Sequence, residues 1–139
     1  VTGGRPIEPH PITQADLDAL KASRQMQKES AVIAFGCPQM TLEEALEVGR
    51  HFAGRTLKKP VLFHLVPGAY DAFIETETGQ ACLDAGIEVL QHCPLAALSL
   101  RIGIGKQQVL TPSGKLHYYL EGAKYADMAD ILELTGAVA

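Results

Sequence analysis

AVIAFGCPQM, residues 31–40, is the stretch from which the architecture of this chain can be read outward. Ala31, Val32, Ile33, Ala34 and Phe35 form a short, unbroken apolar run bounded by Ser30 and Gly36. A strand with one wet face alternates apolar and polar residues. This one does not, so it reads as a strand covered on both faces. It is expected to stop at Gly36, where a thiol, Cys37, and then Pro38 follow at once.

The segments that follow supply the cover. In TLEEALEVGRHFAG, Thr41 and Glu44 have the spacing of a capping box. Leu42, Ala45, Leu46, Val48 and Phe52 make an apolar helical face, and Gly54 is a natural stop. PVLFHLV (60–66) reads as a second buried strand closed by Pro67-Gly68, and a helix interrupted near Gly79 is expected over about 69 to 85. IEVL (87–90) is a third strand, and Ala96-Ala97-Leu98 is ambiguous, with one turn of helix as one reading. KQQVLT (106–111) is a fourth strand, and KLHYYLEGAKY looks helical at its start. DMADILELTG (127–136) reads as a last helix capped by Asp127 and stopped by Gly136.

Upstream, TQADLDALKAS predicts a helix over about 13 to 24, with Thr13 capping and Asp16 three residues on. Residues 1–12 carry Gly3, Gly4, Pro6, Pro9 and Pro11 and read as an N-terminal arm. Apolar strands alternating with helices imply a mostly parallel sheet. The expectation is a single α/β domain over residues 13–139. It would be a three-layer sandwich of about four strands with helices on both faces.

Composition agrees with an ordinary globular domain: 139 residues, 47% hydrophobic and 20% charged. A net charge of -4 and the lack of a basic stripe speak against a nucleic-acid partner. No apolar run approaches the roughly 18 to 20 residues that span a bilayer, so no membrane partner is expected. Three cysteines, an odd and sparse set, suit a reducing compartment; with no signal-peptide pattern visible, the cytoplasm is the expected location. The opening Val1-Thr2-Gly3-Gly4 fits a processed chain or a piece of a longer one.

In a parallel sheet the loops after the strands gather on one edge, where ligands bind. Three of the four strand ends carry reactive or ligating groups: Cys37-Pro38-Gln39, His92-Cys93-Pro94, and Thr111-Pro112-Ser113-Gly114-Lys115 with His117 just beyond. Each thiol could be a small buried hydrophobe. Two Cys-Pro pairs, both after strands, make a shared site an equally good reading. Ser113-Gly114 is ordinary turn and cap chemistry, or, with Lys115, an anion site for a substrate carboxylate or phosphate. Cys82 lies in a helical stretch and reads as structural, His64 as a packed core histidine, and His10 and His51 as surface residues. Gly103-Ile104-Gly105 is too weak to mark a nucleotide site, and there is no phosphate-binding loop and no CxxC.

With those strand ends in view, the chain resembles the aconitase X catalytic (large) subunit in its C-terminal domain. AVIAFGCPQMTLEEALEVGRHFAGR resembles a family segment of strand, Gly-Cys-Pro-His, Ser-Leu-Glu-Glu and helix. IEVLQHCPLA resembles a strand leading into Asp-Thr-Cys, and VLTPSGKLHYY resembles an Asn-Ser-Gly-Lys or Ser-Ala-Lys turn followed by His-Tyr. MADILELTGAVA is similar to the family's last helix, and VTGGRPIEPHPITQADLDAL to the link into this region. Gln39 stands where the family usually has His, and Pro112 where it often has Asn.

The resemblance implies a hydro-lyase related to aconitase, acting on a small hydroxy acid such as cis-3-hydroxy-L-proline or phosphomevalonate. It implies an iron or iron–sulfur centre held by cysteines and completed by a small swivelling subunit or domain. Cys37 and Cys93 match two of the cysteine ligands; the third belongs to a family region upstream of the matched segment. Ser113, Gly114, Lys115 and His117 would bind substrate. The catalytic base is unassigned. Other subunits or domains of the same enzyme are the expected partners. Two other readings stay open: a non-catalytic interaction or subunit domain, and a small-molecule-binding α/β domain without metal.

Overall fold

A computed structural model of the chain describes residues 9, 11–22, 31–100 and 108–137. Helix α1 (Gln14–Ala22) is followed by β1 (Val32–Met40), α2 (Leu42–Gly49), β2 (Val61–Leu65), α3 (Pro67–Ile74) and α4 (Glu77–Asp84). Then come β3 (Glu88–Leu90), α5 (Pro94–Leu100), β4 (Val109–Thr111), α6 (Gly114–Tyr119), β5 (Lys124–Tyr125) and α7 (Met128–Thr135). The five strands form one sheet in the order β3-β2-β1-β4-β5, and every pairing is parallel.

The unbroken apolar run of β1 does what its composition predicts: Ala31 to Phe35 are all buried. Alternate side chains face opposite layers. Ile33 and Phe35 join Phe52, Phe63, Phe73 and Ile131 in a core beneath α2, α3, α4 and α7. Val32 and Ala34 join Leu62, Leu98, Val109 and Leu116 beneath α5 and α6. In the first core Phe35 packs edge-on against Phe63 with centroids 5.3 Å apart, and against Phe52 at 5.8 Å. Such pairs add about 0.5–1.5 kcal/mol beyond the area they bury.

Local signals hold where the chain makes its own caps. Thr41 accepts the backbone N–H of Glu44, while the Glu44 carboxylate accepts from the N–H of Thr41 at 2.8 Å. That backbone donor holds the Glu44 carboxyl below its ordinary pKa. Asp127 caps α7, and Gly136, at φ 73°, closes it in the left-handed conformation.

Four boundaries differ from the sequence reading. Strand β1 does not stop at Gly36 but continues to Met40, which pairs with Leu65 after an irregularity. The interruption expected near Gly79 in the helix over about 69 to 85 falls earlier, between Ile74 and Glu77, because Thr76 caps a new helix by accepting the N–H of Gly79. The ambiguous Ala96-Ala97-Leu98 stretch belongs to a longer helix, α5, over Pro94–Leu100. A fifth strand, Lys124–Tyr125, pairs with β4. The weak Gly103-Ile104-Gly105 signal lies outside the described residues.

Two crossovers run one way from β1, to β2 and β3, through helices on one face. The chain then returns to the other side of β1 through α5 on the opposite face. The winding therefore reverses between β1 and β4. The crevice outside the strand ends at such a reversal is the natural ligand position.

Candidate functional site

Gly36 builds the first wall of that crevice. Its φ is 102°, and a Cβ there would lie 2.2 Å from the carbonyl oxygen of His64. Only glycine lets β1 approach β2 this closely while turning. The next residue, Cys37, is 6% exposed, and its peptide bond to Pro38 is cis.

Across the reversal, Ser113 follows β4 and caps α6 by accepting the N–H of Leu116 at 3.1 Å. Its hydroxyl proton is donated to the backbone carbonyl of Cys37. Its own N–H is donated to Thr111 Oγ1 at 3.1 Å. Ser113 thus joins the ends of β1 and β4. Its hydroxyl has no second proton to offer an anion.

The turn after β3 carries Cys93, which is exposed and whose carbonyl accepts the N–H of Ala97 in the first turn of α5. Two side chains hold this turn from below. His64 Nδ1 lies 2.9 Å from the carbonyl of His92. A carbonyl only accepts, so Nδ1 carries the proton. Gln39 Nε2 donates to the carbonyls of Leu65 at 2.8 Å and Gln91 at 3.0 Å. His64 is the buried core histidine the sequence predicts, fully excluded from solvent.

Burial pushes the Cys37 thiol pKa up. The positive charge of Lys115 opposes that rise, the Cys93 thiol adds to it, and the hydrogen bond with Ser113 opposes it. Lys115 and Cys93 thus both bear on the charge of Cys37. An open groove of about 520 Å³ lies here, lined by Cys37, Pro38, Gln39, Glu47, Pro112 and Ser113 among others. Gly114 and Lys115 are exposed at the start of α6.

Other candidates fall elsewhere. Cys93, Gly114, Lys115 and His117 are not among the groove's lining residues, and His117 Nδ1 donates to the carbonyl of Ala123 at 2.9 Å. Cys82 is buried between α4 and α2, with its Sγ 3.5 Å from the carbonyl of Gly49. His51 is exposed, and His10 lies outside the described residues. Sequence reasoning missed the clamp made by Gln39, because an amide two residues past a thiol gives no sign of which distant carbonyls it will meet. Among the described residues no group of three or more His, Cys, Asp or Glu side chains is arranged to hold a metal ion.

Against known proteins, the third domain of aconitase X matches residues 30–136. The chain belongs to the aconitase X family. It carries the part of the aconitase X architecture in which the Gly36-Cys37-Pro38 turn, the Cys93 turn and the Ser113 turn all lie. The crystal structure of Thermococcus kodakaraensis aconitase X in its holo-form is similar at a TM-score of 0.67 and 20% identity. That likeness covers 87% of this chain and 32% of the Thermococcus chain, so this chain spans about a third of that aconitase X. It speaks for the fold: a five-stranded, all-parallel sheet with helices packed against it. No curated protein gives a significant sequence match.

Proposed function

We propose that this domain forms one wall of an aconitase X-type hydro-lyase site, completed by other domains or subunits. Cys37 and Cys93 would hold an iron or iron–sulfur centre. The single observation that carries the reading is that the segments bearing these two thiols, far apart in sequence, are tied together: Gln39, two residues past Cys37, donates to the carbonyl of Gln91, two residues before Cys93. Two thiols are soft donors of the kind iron–sulfur chemistry uses, and they are too few to complete a centre. The remaining ligands would come from the part of the architecture that this third of the length does not cover.

The substrate class that fits is a small hydroxy acid, with cis-3-hydroxy-L-proline and phosphomevalonate as candidates. Lys115 supplies a cation at the crevice rim, and the N–H groups of Gly114 and Lys115 begin α6 beside it. A substrate carboxylate is recognised there by charge-assisted hydrogen bonds. Ser113 does not donate to it, because its proton is committed to Cys37. Instead it keeps the Lys115 turn at a fixed distance from the Cys37 turn. When bound, the metal supplies Lewis-acid pull on the leaving hydroxyl. Cys37, held protonated by burial, must release its proton to become a ligand, and the Lys115 charge favours that release. The base that takes the proton alpha to the carboxylate is assigned to the other domains. No helix among the described residues is long and apolar enough to cross a membrane. Three free cysteines favour the cytoplasm.

Anaerobic reconstitution with ferrous iron and sulfide, in the presence of the other aconitase X domains, tests the reading. Thiolate-to-iron absorbance is expected for the parent chain and lost in Cys37→Ser/Cys93→Ser. Equal absorbance in the two proteins overturns the ligand assignment.

A further inference from the structure

The proposed ligands sit on two separate turns, and a chelating pair is useful only if its spacing is fixed beforehand. The Cys93 turn has no strand pairing of its own beyond Leu90, the last residue of β3. Besides the Ala97 bond to Cys93, two side chains from other strands reach its successive backbone carbonyls, Gln39 to Gln91 at 3.0 Å and His64 to His92 at 2.9 Å. Both donors belong to the other wall. Gln39 is two residues past Cys37 on β1, and its amide also grips Leu65 at the end of β2. The backbone of His64 packs so closely on Gly36, the neighbour of Cys37, that a Cβ there would lie 2.2 Å from the His64 carbonyl oxygen. One residue of β2 therefore touches the Cys37 turn with its backbone and the Cys93 turn with its side chain.

The structure assigns Gln39 and His64 as positioning residues that set the Cys93 turn against the Cys37 turn, so that the two thiols stand as a preformed chelating pair. The inference deepens the proposed function and rests on its choice of Cys37 and Cys93 as the working thiols. It does not need the ligand to be iron. His64 lies wholly inside the sheet, where its ring is fixed by packing, and donation from Nδ1 orients it further. Outer partners of this kind typically alter metal affinity by about 10- to 100-fold when removed.

The test uses the full chain carrying Cys82→Ala, so that only Cys37 and Cys93 react, and phenylarsine oxide as a probe for converging thiols. In that reaction two S–H bonds break, two As–S bonds form and the arsenic-bound oxygen leaves as water, with no change of oxidation state. The parent is expected to bind the arsenical. Gln39→Met, which keeps the length of the side chain and removes its donor, is expected to weaken binding by about 10-fold or more. His64→Leu should do the same, and His64→Asn, which can present an N–H near the Nδ1 position, should recover most of the loss. Alkylation of exposed Cys93 by a monofunctional maleimide should not slow in any variant, since a single thiol needs no partner. Gln39→Met is decisive if His64→Leu fails to fold. Arsenical binding as tight in folded Gln39→Met as in the parent overturns the inference, and so does a parent that binds none. A parent that captures arsenic in the expected pattern yet takes up no iron alongside its partner domains upholds the clamp and removes the iron reading alone.

Discussion

The hydroxyl of Ser113 donates its proton to the backbone carbonyl of Cys37, joining the ends of β1 and β4 across the point where the winding of the sheet reverses. The same oxygen accepts the N–H of Leu116 and so starts α6. One small side chain therefore fixes both the thiol-bearing turn and the helix that brings Lys115 to it.

Ser113→Ala removes a helix cap and leaves the Cys37 carbonyl without this donor. The expected loss is about 1–3 kcal/mol of unfolding free energy, from the cap and the hydrogen bond together. Ser113→Asn can cap with its oxygen and donate with its nitrogen, and should lose less. Urea denaturation midpoints at unchanged slope check this; equal losses for Ala and Asn would show that only the packing of the site matters.

Gly36→Ala is expected to be the most damaging single methyl in the chain's first strand. Its Cβ would stand 2.2 Å from the His64 carbonyl oxygen, at a φ of 102°. Strain and forced separation of β1 from β2 together should cost roughly 3 kcal/mol or more. Thermal unfolding would report it, and a melting temperature close to the parent's would contradict the geometry.

Cys37 should respond to pH through its neighbours. Its thiol pKa is raised chiefly by burial, with Lys115 pulling it down and Cys93 pushing it up. The pH midpoint for its alkylation should therefore move up in Lys115→Met and down in Cys93→Ala, as followed by peptide mass spectrometry. Its contribution to stability is present below the unfolded thiol pKa and fades as pH climbs through the raised folded one.

Cys82 predicts a separate alkaline weakness. Burial raises its pKa from 9.0 to about 11. Between those values the unfolded chain has lost the proton and the folded chain keeps it, so stability falls as pH rises. Denaturation at stepped pH should show that decline in the parent and a shallower one in Cys82→Ala. A parent stability flat over this range would contradict the burial argument.

Much of this architecture was legible in local chemistry. The apolar run at Ala31–Phe35, the Thr41–Glu44 box and the Asp127 and Gly136 ends of α7 each carry their own reason within a few residues. Strand β5 was not legible, because Lys124-Tyr125 is too short to show a period and exists only by pairing with β4. The break before α4 was placed near Gly79, yet the cap is Thr76. Gly79 is required for a different reason: a Cβ there would lie 1.9 Å from the carbonyl oxygen of Phe73.

The sequence alone determined that strands alternate with helices, that β1 is covered on both faces, and that thiols stand just past the apolar runs of two strands. Those facts follow from side-chain type and short-range hydrogen bonding, which the chain cannot hide. Only the tertiary structure decided that β4 returns to lie beside β1. That return places Ser113 against Cys37 and brings the charge of Lys115 to bear on that thiol. Strand order and the partners of Gln39 and His64 depend on contacts between residues far apart in the chain. Packing of the whole sheet selects those contacts, and no local pattern encodes them.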